Sequence, residues 1–77
     1  MFAVRVVAVP PGGSRAYDEA EWRDALVVVR SGEIELLGVS GACLSFGQGD
    51  LLYLQGVPLR TLHNPGVEPA VLVAVSR

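Results

Sequence analysis

Residues 47–66, GQGDLLYLQGVPLRTLHNPG, constrain the fold more than any other part of the chain. Two glycines open the stretch ahead of the apolar run 51–55, and glycine tolerates the positive φ angles of tight turns. Pro58 ends that run, because proline cannot donate to a strand ladder. Residues 59–63 are extended again until an Asn-Pro-Gly sequence breaks the chain at 64–66. The stretch therefore predicts two short strands, each bounded by tight turns.

The same alternation of apolar runs and turn signals extends over most of the chain. The other apolar runs occupy residues 2–9, 25–30, 33–37, 42–46 and 70–75. With seven short strands and no long helical period, the chain is predicted to be all-β, a small antiparallel β-barrel or jelly-roll sandwich. A single domain is expected over residues 1–77.

The first strand, the Ser31-Gly32 turn and the polar segment at 15–24 each predict local structure. The run 2–9 carries one charge and is expected to be buried on most of both faces. Ser31-Gly32 separates two apolar runs and predicts a two-residue hairpin. Residues 15–24 are polar and form either a solvated loop or one helical turn capped by Asp18.

Composition excludes several classes of function. The net charge is −2 and the six basic residues are dispersed arginines, so no nucleic-acid surface is expected. No apolar run reaches membrane-spanning length, and the stretch at 1–9 is too short for a secretory signal. The single cysteine, Cys43, rules out an intrachain disulfide and favours a reducing, cytoplasmic location.

The small size of the chain predicts a partner subunit. A core of Val, Leu and Ala in 77 residues is near the lower limit of self-sufficiency. We expect a homodimer in which the strand at 2–9 or the strand at 70–75 covers an exposed apolar edge or face.

The turn signals also carry a family resemblance, which covers the chain from about Val7 to Val75. Three features resemble the second conserved motif of the cupin superfamily. They are the Gly49-Asp50 pair that precedes a strand, the Pro/Gly turn that follows this strand, and the Asn-Pro-Gly sequence that ends the unit. Residues 26–33 resemble the end of the first cupin motif, and residues 10–13 resemble the Pro-Gly turn that precedes it. The resemblance implies a small single-domain cupin fold.

The resemblance also locates the positions at which metal-binding cupins carry their ligands. Those proteins use three histidines and a glutamate, a set that suits Fe, Mn, Ni or Zn. The corresponding positions fall near Tyr17 and Glu19, at Asp24 or Ala25, and at Leu59. Since no histidine is present at any of them, no metal cofactor is expected. A weaker alternative is an oxygen-rich metal site built from Asp24, Glu19 and His63.

His63 is the only histidine and the principal catalytic candidate. If strand alternation holds, His63 shares a face with Leu59 and Thr61, and the resemblance implies that this face looks into the barrel. His63 would then act as general acid or base, with Tyr53 and Asp24 as its partners. The alternative is a structural histidine at a strand end. The residues predicted to contact a ligand are Tyr17, Trp22, Leu59 and Thr61.

Other reactive side chains have structural explanations. Glu33 and Glu35 alternate with Ile34 and are expected on the solvated face of a sheet, although paired carboxylates also serve acid–base catalysis. Cys43 lies between Ala42 and Leu44, the setting of a small buried hydrophobe rather than of a nucleophile.

Two hypotheses of function remain open. In the first, a metal-independent barrel binds a small organic molecule and acts as a binding module or as an isomerase- or cyclase-type acid–base catalyst. In the second, the barrel is filled by its own side chains and the protein is a structural module that works through dimerisation.

Overall fold

The computed structural model describes residues 2–54 and 56–77. Its elements are β1 (Ala3–Val9), β2 (Ser14–Ala16), α1 (Glu19–Trp22), β3 (Leu26–Ser31), β4 (Glu33–Gly38), β5 (Cys43–Gly47), β6 (Leu51–Tyr53), β7 (Leu59–His63) and β8 (Ala70–Ser76). The predicted extension of the sixth strand to Gln55 lies outside the described residues.

The strands form two four-stranded antiparallel sheets, which confirms the predicted all-β sandwich. Sheet A has the order β1-β8-β3-β6, and sheet B has the order β2-β7-β4-β5. Among the described residues the two sheets do not join into a closed barrel. The edges formed by β5 and β6 therefore remain open.

The core lies between the inner faces of the two sheets. Alternate residues of each strand enter it, as the period of two requires. Its buried members include Val27, Val29 and Leu72 from sheet A and Ile34 and Leu62 from sheet B. Glu33 and Glu35 lie on the opposite, outer face of β4, as the alternation predicted.

The first two strands differ from the sequence predictions. In β1 only Val7 and Val9 are buried, so the expected burial of both faces is wrong. Residues 14–16 form β2, which pairs with β7, although the polar segment that begins at residue 15 was expected to be a loop or a helical turn. The predicted helical turn is present as α1, where the Asp18 side chain accepts a hydrogen bond from the Ala20 amide (3.1 Å).

The hairpin predicted at Ser31-Gly32 is wrong. β3 pairs with β6 and β8 in sheet A, whereas β4 pairs with β5 and β7 in sheet B. Gly32 carries the chain from one sheet to the other with φ 79°. A Cβ at this position would lie 2.6 Å from the carbonyl oxygen of Pro69, so the crossing also requires the absence of a side chain.

β7 does not keep a uniform alternation. The register between β4 and β7 shifts next to Leu59, and both Leu59 and Leu62 consequently enter the core. Thr61 and His63 are partly exposed on the outer face of sheet B. The prediction that Leu59, Thr61 and His63 share one inward face is therefore wrong.

Candidate functional site

The open side of the sandwich is an apolar cleft between the free edges of β5 and β6. It is lined by apolar side chains and by one tyrosine: Leu36, Leu44, Phe46, Leu51, Leu52, Tyr53, Leu54 and Val57. Its volume is about 180 Å³. A second hollow of about 120 Å³ shares Leu36, Leu44 and Val57 with it and continues toward Leu59. We call the two hollows together the β5–β6 cleft.

The cleft exists because β5 and β6, the edge strands of the two sheets, present apolar side chains to each other but are not joined by backbone hydrogen bonds. Leu52 and Leu54 extend the core from sheet A, and Leu36 extends it from sheet B. Leu44 on β5 is 53% exposed although it pairs in register with the buried Leu36. The cleft is thus an uncovered margin of the core.

The opposite side of the sandwich is sealed by α1. Trp22 is fully buried there, and the Arg5 guanidinium lies 5.1 Å from the centre of its ring. The Glu21 carboxylate pairs with Arg5 (3.4 Å) and with Arg15, so α1 is tied to β1 and to β2. Trp22 is therefore part of the core and does not line the β5–β6 cleft.

Tyr53 and Asp24, two of the predicted catalytic residues, lie near each other. Together with Arg77 they line a hollow of about 380 Å³. Tyr53 is 57% exposed on the outer face of sheet A, and Asp24 has φ 56° at the end of the α1 segment. The structure brings these two side chains together but places His63 elsewhere.

His63 belongs to a polar row across the outer face of sheet B. Its Nδ1 lies 2.8 Å from the Ser14 hydroxyl. Glu35 is the residue opposite His63 in the register between β7 and β4. Ser45 on β5 completes the row. Since the row faces away from the core, His63 does not line the β5–β6 cleft.

The residues predicted to contact a ligand are dispersed. Leu59 lines the smaller hollow of the β5–β6 cleft, whereas Thr61 is on the outer face of sheet B. Tyr17 packs against the core, and burial, followed by the charges of Glu19 and Asp18, raises the pKa of its hydroxyl. Of the four predicted residues, only Leu59 contributes to the cleft.

Sequence reasoning missed most of the residues that line the cleft. An apolar residue looks the same in the sequence whether it packs in the core or lines a cleft. This applies to Leu36, Leu44, Phe46 and Val57. The missing information was the pairing, since only the strand order shows that β5 and β6 are edges.

Cys43 is exposed on β5, so the expected burial of its side chain is wrong. Partial desolvation and the neighbouring Glu35 carboxylate raise the pKa of the Cys43 thiol. A thiol that is protonated at neutral pH is a poor nucleophile, in agreement with its non-catalytic interpretation.

The positions that the cupin resemblance assigns to metal ligands do not fit a metal. Leu59 and Ala25 are buried and offer no ligand atom, and the Glu19 carboxylate pairs with Arg23 (3.0 Å) on the surface of α1. Within residues 2–54 and 56–77, no group of three His, Cys, Asp or Glu side chains could hold a metal ion. The alternative site of Asp24, Glu19 and His63 is therefore not formed. The predicted absence of a metal cofactor stays a prediction.

Comparison with solved structures shows which proteins share this architecture. A Cupin 2 conserved barrel domain protein from Salinispora arenicola matches with a TM-score of 0.77 and 27% sequence identity, over 96% of this chain. This chain spans 60% of the length of that protein. A protein from Neisseria meningitidis matches with a TM-score of 0.69 and 12% identity, over 97% of this chain and 72% of its own.

Other comparisons give no match. No protein-family model matches the chain, and neither does any curated protein. In the described part of the chain, no helix combines the length and the apolar character that a membrane crossing requires.

Proposed function

Because this chain has the fold of a small cupin, we propose that it binds a small, largely apolar organic molecule in the β5–β6 cleft, without a resident metal. The observation that carries the proposal is the continuous apolar lining of the cleft, open to solvent between two strand edges. Ligand sites are concave and mostly apolar, with few polar groups. Here the polar residues among those that line it are Tyr53 in the main hollow and Ser40 in the smaller one.

The dimensions of the cleft limit the class of ligand. An apolar cavity of about 150 Å³ accommodates one benzene molecule. The main hollow, at about 180 Å³, therefore suits a single aromatic or aliphatic ring, and the adjoining hollow suits a short substituent. Among the described residues, no charged side chain lines either hollow, so the portion of the ligand that enters is uncharged.

Ligand-dependent stabilisation tests the proposal. A ligand that binds only the native state raises the melting temperature, so cyclohexanol should raise it for the wild-type protein. Leu44→Asp places a carboxylate in the cleft and should weaken binding by at least about tenfold, because the charge would have to be desolvated.

Val39→Asp provides the matched control. Val39 is also an exposed aliphatic residue but does not line the cleft, so its variant should keep the wild-type response. Equal responses of Leu44→Asp and Val39→Asp would contradict a site in the cleft.

Acid–base catalysis of the isomerase or cyclase type stays a prediction. His63 is separate from the cleft, so we expect His63→Ala to leave cyclohexanol binding unchanged. Loss of binding in a variant that keeps its stability would instead support a ligand site at His63. The cytoplasmic location also stays a prediction, based on the single cysteine.

A second candidate function is that of a homodimerising structural module. The outer face of sheet A favours it. Two rows of side chains cross that face, Val4–Val75–Leu26–Tyr53 and Val6–Val73–Val28–Leu51. Seven of the eight residues are aliphatic, and a contiguous exposed apolar patch often marks an interaction surface. Light scattering at micromolar concentration should give twice the 8.1 kDa mass of the chain, and a monomer would exclude this candidate.

A further inference from the structure

We infer that the ligand of the β5–β6 cleft is a hydrophobic α-amino acid, or a compound with the same zwitterionic head, and that a second site on the chain binds this head. That site is the hollow of about 380 Å³ lined by Asp24, Tyr53 and Arg77. We call it the head-group site. The inference rests on the binding function proposed above and deepens it, because it names the class of ligand.

Tyr53 connects the head-group site to the cleft. It is the one described residue that lines both the main hollow of the cleft and the head-group site. Its strand, β6, is the free edge of sheet A, so its side chain lies at the margin between the cleft and the outer face of that sheet. A short molecule can therefore extend past the Tyr53 side chain, with its apolar part in the cleft and its polar part in the head-group site.

Strand register brings the two charged residues of the head-group site together. Tyr53 pairs with Leu26, and Leu26 pairs with Val75. Continuing this antiparallel register by two residues sets Asp24 opposite Arg77, one row beyond Tyr53. The topology of sheet A thus gathers one carboxylate, one guanidinium and one phenol at a single corner of the sandwich.

The fold does not use the two charges of the head-group site. Among the described residues, neither the Asp24 carboxylate nor the Arg77 guanidinium takes part in an ion pair. Arg23, the cation next to Asp24 in the chain, makes its ion pair with Glu19 (3.0 Å). Charged groups on a ligand would therefore gain partners here without breaking a pair that holds the fold together.

The backbone at Asp24 supports a functional role for its carboxylate. Among the described residues, Asp24 is the one non-glycine residue with positive φ, at 56°. Aspartate tolerates this region better than most residues, but a glycine would adopt it without the steric cost of a Cβ. Side chains held in this region occur preferentially at functional sites. This observation is independent of the hollow and falls on one of its three lining residues.

The chemistry of the two sites together selects a zwitterion that carries a ring. A guanidinium binds a carboxylate through charge-assisted, often bidentate hydrogen bonds, and a carboxylate binds an ammonium group in the same charge-assisted way. The amino and carboxyl groups of an α-amino acid are attached to one carbon, so they can engage Asp24 and Arg77 together. The main hollow of the cleft, at about 180 Å³, then accepts a phenyl ring.

Phenylalanine and its truncated analogues test the inference. L-Phenylalanine carries the ring and both charges, 3-phenylpropionate lacks the ammonium group, and 2-phenylethylamine lacks the carboxylate. In methyl NMR titrations, L-phenylalanine should bind at least about tenfold more tightly than either analogue, because each analogue loses one charge-assisted contact. Equal affinities for the three compounds would overturn the inference.

Two variants that each remove one charge should give a crossed pattern. Arg77→Gln should weaken the binding of 3-phenylpropionate at least about tenfold without weakening that of 2-phenylethylamine, and Asp24→Asn should do the reverse. Asparagine also tolerates positive φ, so Asp24→Asn should preserve the backbone. Arg60→Gln is the matched control, an exposed arginine of β7 that does not line the head-group site, and it should weaken neither compound. Equal losses for both compounds in each variant would contradict the assigned roles.

The outcomes separate this inference from the proposed function. Cyclohexanol is uncharged, so its binding depends on the cleft alone and should be the same in the wild-type protein, Asp24→Asn and Arg77→Gln. Cyclohexanol binding without a preference for L-phenylalanine overturns the head-group site and keeps the cleft. Absence of binding by both compounds overturns both sites. L-Phenylalanine binding that Leu44→Asp leaves unchanged overturns the connection between the head-group site and the cleft.

Discussion

At the scale of single residues, Asn64 has the strongest structural role. It is fully buried, and its side chain donates hydrogen bonds to the carbonyls of Val9 (3.0 Å) and Glu68 (2.7 Å). Its Oδ1 accepts a hydrogen bond from the Gly66 amide (2.9 Å). The sequence predicted a chain break at 64–66 from residue types. It did not predict that the Asn64 side chain links the end of β1 to the turn at residues 66–68.

Asn64→Ala should lower the free energy of unfolding by about 2–4 kcal/mol, because two carbonyls and one amide lose their partner. Urea denaturation measures the loss. His63→Ala is the neighbouring control and should cost less than about 1 kcal/mol, since it removes one contact with an exposed hydroxyl. A cost for Asn64→Ala no greater than that for His63→Ala would refute this role.

Trp22, which was predicted from the sequence to contact a ligand, is a core residue. Its indole Nε1 is buried without a hydrogen-bond partner among the described residues. Trp22→Phe keeps an aromatic side chain in the core and removes that unpaired donor, so its cost should stay well below the roughly 3–5 kcal/mol typical of a buried Trp→Ala substitution. Thermal unfolding of the Phe and Ala variants would show the difference, and equal losses would contradict this expectation.

At the scale of elements, the connection between β3 and β4 shows where sequence patterns stop being informative. A hairpin at Ser31-Gly32 would place Val29 opposite Ile34, both on one apolar face. The observed crossing between sheets also buries Val29 and Ile34. The alternation is the same in both arrangements, so local sequence could not distinguish them.

Gly32→Ala tests the crossing. Because the added Cβ would meet Pro69 and Ala70, the substitution should cost clearly more than the strain of positive φ alone. Gly41→Ala is the matched control, with φ 92° and open space around the Cβ, and should cost about 1–2 kcal/mol. Similar unfolding free energies for the two variants would show that the contact with Pro69 does not constrain the crossing.

At the scale of the whole molecule, the apolar runs contain more hydrophobicity than one chain buries. β1 was predicted to be buried on most of both faces, and β8 is nearly all apolar, yet a single chain covers only their inner faces. This excess of apolar residues explains why the burial prediction for β1 is wrong. It also explains why the outer face of sheet A is apolar. Sequence predicted the sandwich and every strand except β2, but the location of the cleft and of the face depends on strand order, which long-range pairing decides.

A dimer built on this face should show stability that depends on concentration. Because association stabilises only the folded subunits, the melting temperature should rise as the protein is concentrated from low micromolar upward. Val73→Glu should remove the dependence. A constant melting temperature for the wild-type protein over that range would argue against coupled folding and association.

The central claim is that the β5–β6 cleft binds an apolar ring. Its most direct test is a methyl NMR titration of the wild-type protein with cyclohexanol. We predict saturable shifts concentrated on the leucine and valine methyl groups of the cleft, with Leu36, Leu44 and Val57 the most affected and Val67 unchanged. Shifts that are absent, or that spread evenly over exposed aliphatic residues, would contradict the claim.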